Sequence, residues 1–244
     1  MKKHVLHSIL CLFCCIAVAQ ERFTVKVNAG EDVNSLISNS RYLFPEFKAG
    51  TVVFTDNATS KAPLNYDMIM GEMHYVNASG KVMALSDVAN ISSILFADRE
   101  FIYTPKGYTE VLTYSGNKAL LLHRRIKAEQ EKPTGAYGMS SDVSAVESSN
   151  AILSTSQRDA NNSALVAENV GVALGGGNVT FTLLQTLYLY DGTNLLANAS
   201  EANFQKIFGK DKKSAIRDYI KKNKINQKKP TDLIQLFNYL ANDL

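Results

Sequence analysis

The sequence predicts an α+β fold, mainly β, in which an antiparallel β-meander, closed as a barrel or folded as a sandwich, is followed by a small C-terminal helical segment. Three observations predict it. Between Ala49 and Lys127 the chain is a succession of short β-prone runs, TVVFT, APLNYDM, EMHYV, KVMAL, ISSILFA, REFIYT, YTEVLTYS and KALLLHRRIK, separated by turn residues. Runs of about five or six residues recurring every 8 to 12 or so are the mark of antiparallel strands joined by hairpins. A further β-prone pair flanks Asp191-Gly192, a strong hairpin signal. From Ser200 onward the apolar period changes to that of a helix.

The N-terminus reads as a signal peptide over residues 1–19. Lys2 and Lys3 precede an apolar run from Val5 to Ala19, and Ala17-Val18-Ala19 places small residues where a signal peptidase needs them. Gln20-Glu21-Arg22 ends the run short of the roughly 20 residues a membrane helix requires. Lipidation of Cys14 or Cys15 is the rival reading, but Phe13, not a small residue, precedes Cys14. Cleavage after Ala19 implies an exported chain, periplasmic or at the cell surface. It also removes all three cysteines, Cys11, Cys14 and Cys15, and with them a disulfide framework, a cysteine nucleophile or a thiolate metal site. The formal charge falls from +3 to +1 with the loss of Lys2 and Lys3, which argues against nucleic acid as a partner.

Residues 20–128 form the predicted β-body. Phe23 to Val27 alternates in polarity and opens it. The aromatic-rich Arg41 to Phe47 segment, broken by Pro45, is expected to cap one end of the sheet. Turns are expected at Asp56-Asn57, Asn77 to Gly80, Ala97-Asp98, Pro105 to Gly107 and Ser115 to Asn117, where Asn, Asp and Gly tolerate left-handed backbone. Alternation then puts Leu64, Tyr66, Met73, Tyr75, Ile94, Phe96, Phe101 and Tyr103 on one face.

Residues 129–165 are rich in serine, asparagine and alanine and read as a linker or mobile loop. Residues 166–199 carry the Asp191-Gly192 hairpin, expected to join the first sheet. In residues 200–244, Ser200 caps a short helix stopped by Gly209, Asp211 to Asn223 follows helical spacing, and Pro230 opens a last helix with Leu233, Leu236, Phe237 and Leu240 on one side.

Few chemical constellations stand out. Glu72 and His74 share a strand face and make a candidate metal or general-base pair, set against the plainer reading of an exposed polar face. His123-Arg124-Arg125 reads as a solvated sheet edge. Gly171 to Gly177 lacks the Gly-Lys-Ser/Thr ending of a phosphate loop and leads into a strand, so it reads as a joint. Six Asn-X-Ser/Thr sequons, at Asn57, Asn77, Asn90, Asn161, Asn178 and Asn198, read as turn chemistry in a bacterial chain. No metal or cofactor is expected. Ten basic residues lie between Lys206 and Lys229 against Asp211 and Asp218, and of these Lys212, Lys213, Arg217, Lys221 and Lys222 are candidates for contact with an anionic envelope surface.

The arrangement Tyr42-Leu-Phe-Pro-Glu-Phe-Lys-Ala-Gly-Thr-Val52, with Leu64-Asn-Tyr-Asp67 and Gly71-Glu-Met73, resembles uncharacterised exported β-rich proteins of the Bacteroidetes type. The resemblance covers the first half of the mature chain and the Phe204 to Leu240 tail. It implies export and a β-rich body, and transfers no activity. The reading that follows is a non-enzymatic envelope protein with a binding or assembly role, its partner an envelope protein or an anionic envelope surface. The alternative is a carrier of a lipid or other apolar ligand, bound among Tyr66, Met73, Tyr75, Phe96 and Phe101. A hydrolase using Glu72 and His74 is the third reading.

Overall fold

The computed structural model describes residues 22–27, 37, 40–130 and 177–242. The proposed leader, residues 131–165 of the proposed linker, and Gly171 to Gly176 lie outside them. The strands are β1 (Arg22–Val27), β2 (Lys48–Phe54), β3 (Thr59–Asp67), β4 (Glu72–Val76), β5 (Val82–Ala84), β6 (Ile91–Phe96), β7 (Arg99–Thr104), β8 (Gly107–Ser115), β9 (Lys118–Gln130), β10 (Gly177–Tyr190) and β11 (Leu195–Ala197). Three helices follow: α1 (Glu201–Phe208), α2 (Lys213–Asn223) and α3 (Pro230–Asn242).

All the strands belong to one antiparallel sheet in the order β1-β10-β9-β8-β7-β6-β2-β3-β4-β5, with β11 paired to the end of β10 beyond β1. The meander and the late hairpin are therefore one sheet, as the alternation and the Asp-Gly turn predict. Turn chemistry agrees with the prediction at the tightest connection: Ala97 and Asp98 both have positive φ, 49° and 57°, between β6 and β7. A two-residue hairpin with both central residues left-handed matches the twist of its strands.

The mainly β fold with a small C-terminal helical segment is as expected, but the sheet does not close into a barrel. The sheet curls over itself yet stays open, with β5 at one end of the ladder and β1 and β11 at the other. Where β3 ends, Asp67 Oδ1 accepts the backbone N–H of Ile69 and Met70 and turns the chain into β4. The curl is pinned there by the N–H of Ile126 on the carbonyl of Met68, 2.7 Å, and by the Tyr66 hydroxyl on the carbonyl of Arg124, 2.8 Å. Two isolated contacts tie a fold-over; they do not make a ladder. The linker boundary also moves, because Glu129 and Gln130 continue β9 and pair with β10.

One face of the sheet is buried along its length. Its first half packs Leu64, Tyr66, Met73, Ile94, Phe96 and Phe101 against Ile126, Val179 and Phe181, with Leu43 and Phe44 from the aromatic segment closing over them. Its second half packs Leu120 and Leu189 beneath Phe204, Ile216, Leu233, Leu236 and Phe237 of the three helices. Those helices start and stop as predicted: Ser200 accepts the N–H of Asn203, and Gly209 ends α1 at φ 115°. Burying a Leu or Phe side chain stabilises by about 1.5–3 kcal/mol, so the second cluster supplies the main driving force for docking the helices on the sheet.

Candidate functional site

The other face of β2 and β3 carries a polar cluster and, beside it, an open groove. In the β3–β4 hairpin Asn65 pairs with His74 and Asp67 with Glu72, so all four side chains leave the same side. Arg41 and Tyr42 then lie over them, since Tyr42 forms a backbone bridge to Asp67. Arg41 Nε donates to Asp67 Oδ2 at 2.6 Å, and Asp67 is fully buried. The Tyr42 hydroxyl lies 3.0 Å from His74 Nδ1, and His74 Nε2 lies 3.3 Å from Glu72 Oε2. In the neutral ring these contacts select the tautomer with Nε2–H donating to Glu72 and Nδ1 accepting from Tyr42. Asn65 completes the cluster by accepting the N–H of Phe44 and donating to the carbonyls of Phe44 and Glu46.

The plain reading of Glu72 and His74 as an exposed polar face is thus corrected: His74 is only 5% exposed. What burial hides is a clasp. Both imidazole nitrogens are engaged, and burial, only partly opposed by Arg41, raises the Tyr42 phenol above its ordinary pKa. A phenol made harder to ionise is a poorer nucleophile at neutral pH, and an imidazole so little exposed offers a substrate little surface. The cluster instead holds the Arg41 to Phe47 segment against the hairpin. Sequence reading missed Arg41, Tyr42, Asn65 and Asp67; the available signal was that Asn65 and Asp67 share strand parity with each other and, through the hairpin, with Glu72 and His74.

Phe47 links this clasp to the groove. Its ring meets that of Tyr42 edge-on at 5.3 Å and also walls one end of an open groove of about 1010 Å³. Ala49, Thr51 and Pro63 form a floor of short side chains, and Leu95, 44% exposed, stands at the far side. Lys61, Asp98, Arg99 and Glu100 give the rim charges of both signs. Gly50, between Ala49 and Thr51, faces the core instead: a methyl group added there would come within 2.7 Å of Leu64 and Phe96 and 2.8 Å of the Leu95 carbonyl oxygen.

Compared with known proteins, the chain matches no family model, no curated protein and no solved structure. Its chemistry has to be read from its own geometry.

The remaining candidates fall elsewhere. Tyr66, Met73, Phe96 and Phe101 are buried and Tyr75 is half-buried in a single core cluster, with ring centroids 6.0 Å apart for Tyr66–Phe101 and 5.0 Å for Phe96–Phe101. They fill one another's space. His123-Arg124-Arg125 is not a sheet edge, because β9 lies between β8 and β10. Arg124 instead pairs with the buried Glu110, which Arg99 Nη1 also reaches at 3.1 Å. His123 is buried on the opposite face, and that burial, with Arg125 and Lys106 nearby, pushes its pKa down to about 4. Lys213, Arg217, Lys221 and Lys222 are exposed on α2, while Lys212 lies in the turn before it, 3.9 Å from Asp211. Among the described residues no group of three or more His, Cys, Asp or Glu is disposed to hold a metal ion, and no helix is long and apolar enough to cross a membrane.

Proposed function

We propose that this is a non-enzymatic binding protein of the cell envelope whose outer sheet face receives an extended polypeptide segment of a partner. The observation that carries the reading is the groove across β2, β3 and β6, where Leu95 remains exposed beside a floor of Ala49, Thr51 and Pro63. Short side chains let an incoming backbone approach the sheet closely, and Leu95 and Phe47 offer apolar contacts at either end. A rim holding both Lys61 and Glu100 suits a chain carrying mixed side chains. An acyl chain laid in so open a groove would keep much of its surface in water, which disfavours the carrier reading. The filled state of the Tyr66–Phe101 cluster disfavours it further. The closed His74 clasp likewise weighs against a hydrolase.

The test is in-cell photocrosslinking from position 95, with the same probe at the exposed Tyr114 as control. A discrete protein adduct at position 95 that disappears in Ala49→Trp, which fills the groove floor, is the expected result. Two findings would replace the reading: an apolar ligand retained through native mass spectrometry, or hydrolase turnover lost in His74→Ala and Glu72→Ala.

A further inference from the structure

The fold concentrates positive charge on one helical face that the groove does not involve. Between Lys206 and Lys229 there are ten basic and two acidic residues, leaving sixteen basic and twenty-one acidic in the other 220. The segment itself carries a net charge of +8. On α2, Ile216 is buried and Tyr219 and Ile220 pack toward the other helices, so Lys213, Arg217 and Lys221 fall on the solvent side at successive turns. Lys224 continues the line, held at φ 52° as the residue that ends the helix. From Lys213 to Lys224 the line runs about 16 Å at 1.5 Å per residue. Neighbouring charges along it stand closer than the screening length of roughly 8 Å at physiological salt, so they act together.

A helix C-terminus by itself favours one or two cations through its dipole. That accounts for Lys206 at the end of α1 and for Lys221 and Lys222 at the end of α2, and leaves Lys210, Lys213, Lys224 and Lys228 without such a role. None of these four has an ion-pair partner among the described residues. The partner that complements such a face is broad, flat and negative.

We infer that the solvent face of α2 docks the protein on an anionic, phosphate-bearing lipid surface. Charge complementarity carries the inference, since a cluster of lysines sums its attraction over many laterally mobile headgroups. The residue types favour lipid over nucleic acid. Nine of the ten are lysines, and the single arginine, Arg217, is held by Glu201 at 2.6 Å. The nearby aromatic, Tyr219, is stacked on Tyr239 at 4.0 Å and is not offered to a base. The inference shares the envelope setting proposed above but is independent of the groove.

The experiment is co-sedimentation of the purified full chain with phosphatidylcholine vesicles, with and without phosphatidylglycerol. Binding is expected only with phosphatidylglycerol and is expected to fall steeply as salt rises. At about fivefold per charge, Lys213→Gln, Lys221→Gln, Lys222→Gln and Lys224→Gln combined lower partitioning by roughly several hundredfold. Lys26→Gln, Lys48→Gln, Lys81→Gln and Lys106→Gln combined remove as many charges from the β-sheet and retain most of the binding. Circular dichroism confirms that both variants fold. Equal binding to neutral vesicles, an unaffected α2 variant, release by millimolar inorganic phosphate, or tighter binding to a single-stranded oligonucleotide would each overturn the inference. None of these results bears on crosslinking at position 95, so the groove stands or falls separately.

Discussion

The Tyr42 hydroxyl lies 3.0 Å from Nδ1 of His74, joining a segment that precedes β2 to the middle of β4 across 32 residues of chain. Together with the Arg41–Asp67 pair it fixes the entry to the sheet, and through Phe47 it sets one wall of the groove.

Removing parts of this clasp is expected to separate a single hydrogen bond from a buried charge. Tyr42→Phe loses one hydrogen bond and should cost about 1 kcal/mol. Asp67→Ala leaves Arg41 without its carboxylate and the N–H groups of Ile69 and Met70 without an acceptor, which should cost about 3–5 kcal/mol. Urea unfolding midpoints check both; equal effects would show that the ion pair is not what holds the segment.

His123 is expected to make the protein acid-sensitive. Its pKa is about 4 in the folded state against 6.5 ordinarily, so the unfolded chain binds the proton more tightly. The folded state is at full advantage above pH 6.5, loses stability as the pH falls from there towards 4, and levels off below. The loss should amount to roughly 2–3 kcal/mol. Denaturant titrations across that window should show it in the native chain and not in His123→Leu.

Glu110 is held by Arg99 and Arg124 at the edge of the core. Glu110→Gln leaves two guanidinium groups facing a neutral amide and should destabilise by about 3–5 kcal/mol. Replacing Glu110 and Arg124 together by Met and Leu should recover much of that loss, which thermal unfolding would reveal.

Backbone geometry around the groove gives a pair of opposed outcomes. Ala97 has φ 49°, a conformation that costs an L-residue about 1–2 kcal/mol, so Ala97→Gly should stabilise or leave stability unchanged. Gly50→Ala should destabilise by about 1–3 kcal/mol, because the new methyl meets Leu64, Phe96 and a backbone carbonyl at once.

Local sequence alone determined the strands, their turns, the shared face of Leu64, Tyr66, Met73 and Phe101, the Asp191-Gly192 hairpin and the caps of α1. Each of these depends on neighbours a few residues apart: alternation along a strand, left-handed turn residues, a side chain reaching the next helical turn. Only the tertiary structure decided that the sheet stays open, that β9 is an interior strand with His123 buried and Arg124 half-buried in it, and that His74 is clasped. Those outcomes depend on partners brought from far along the chain, with Arg41 and Tyr42 meeting Asp67 and His74, and Met68 meeting Ile126. A polar side chain looks the same in sequence whether water or a distant arginine will satisfy it, and only the curl of the sheet chooses between them.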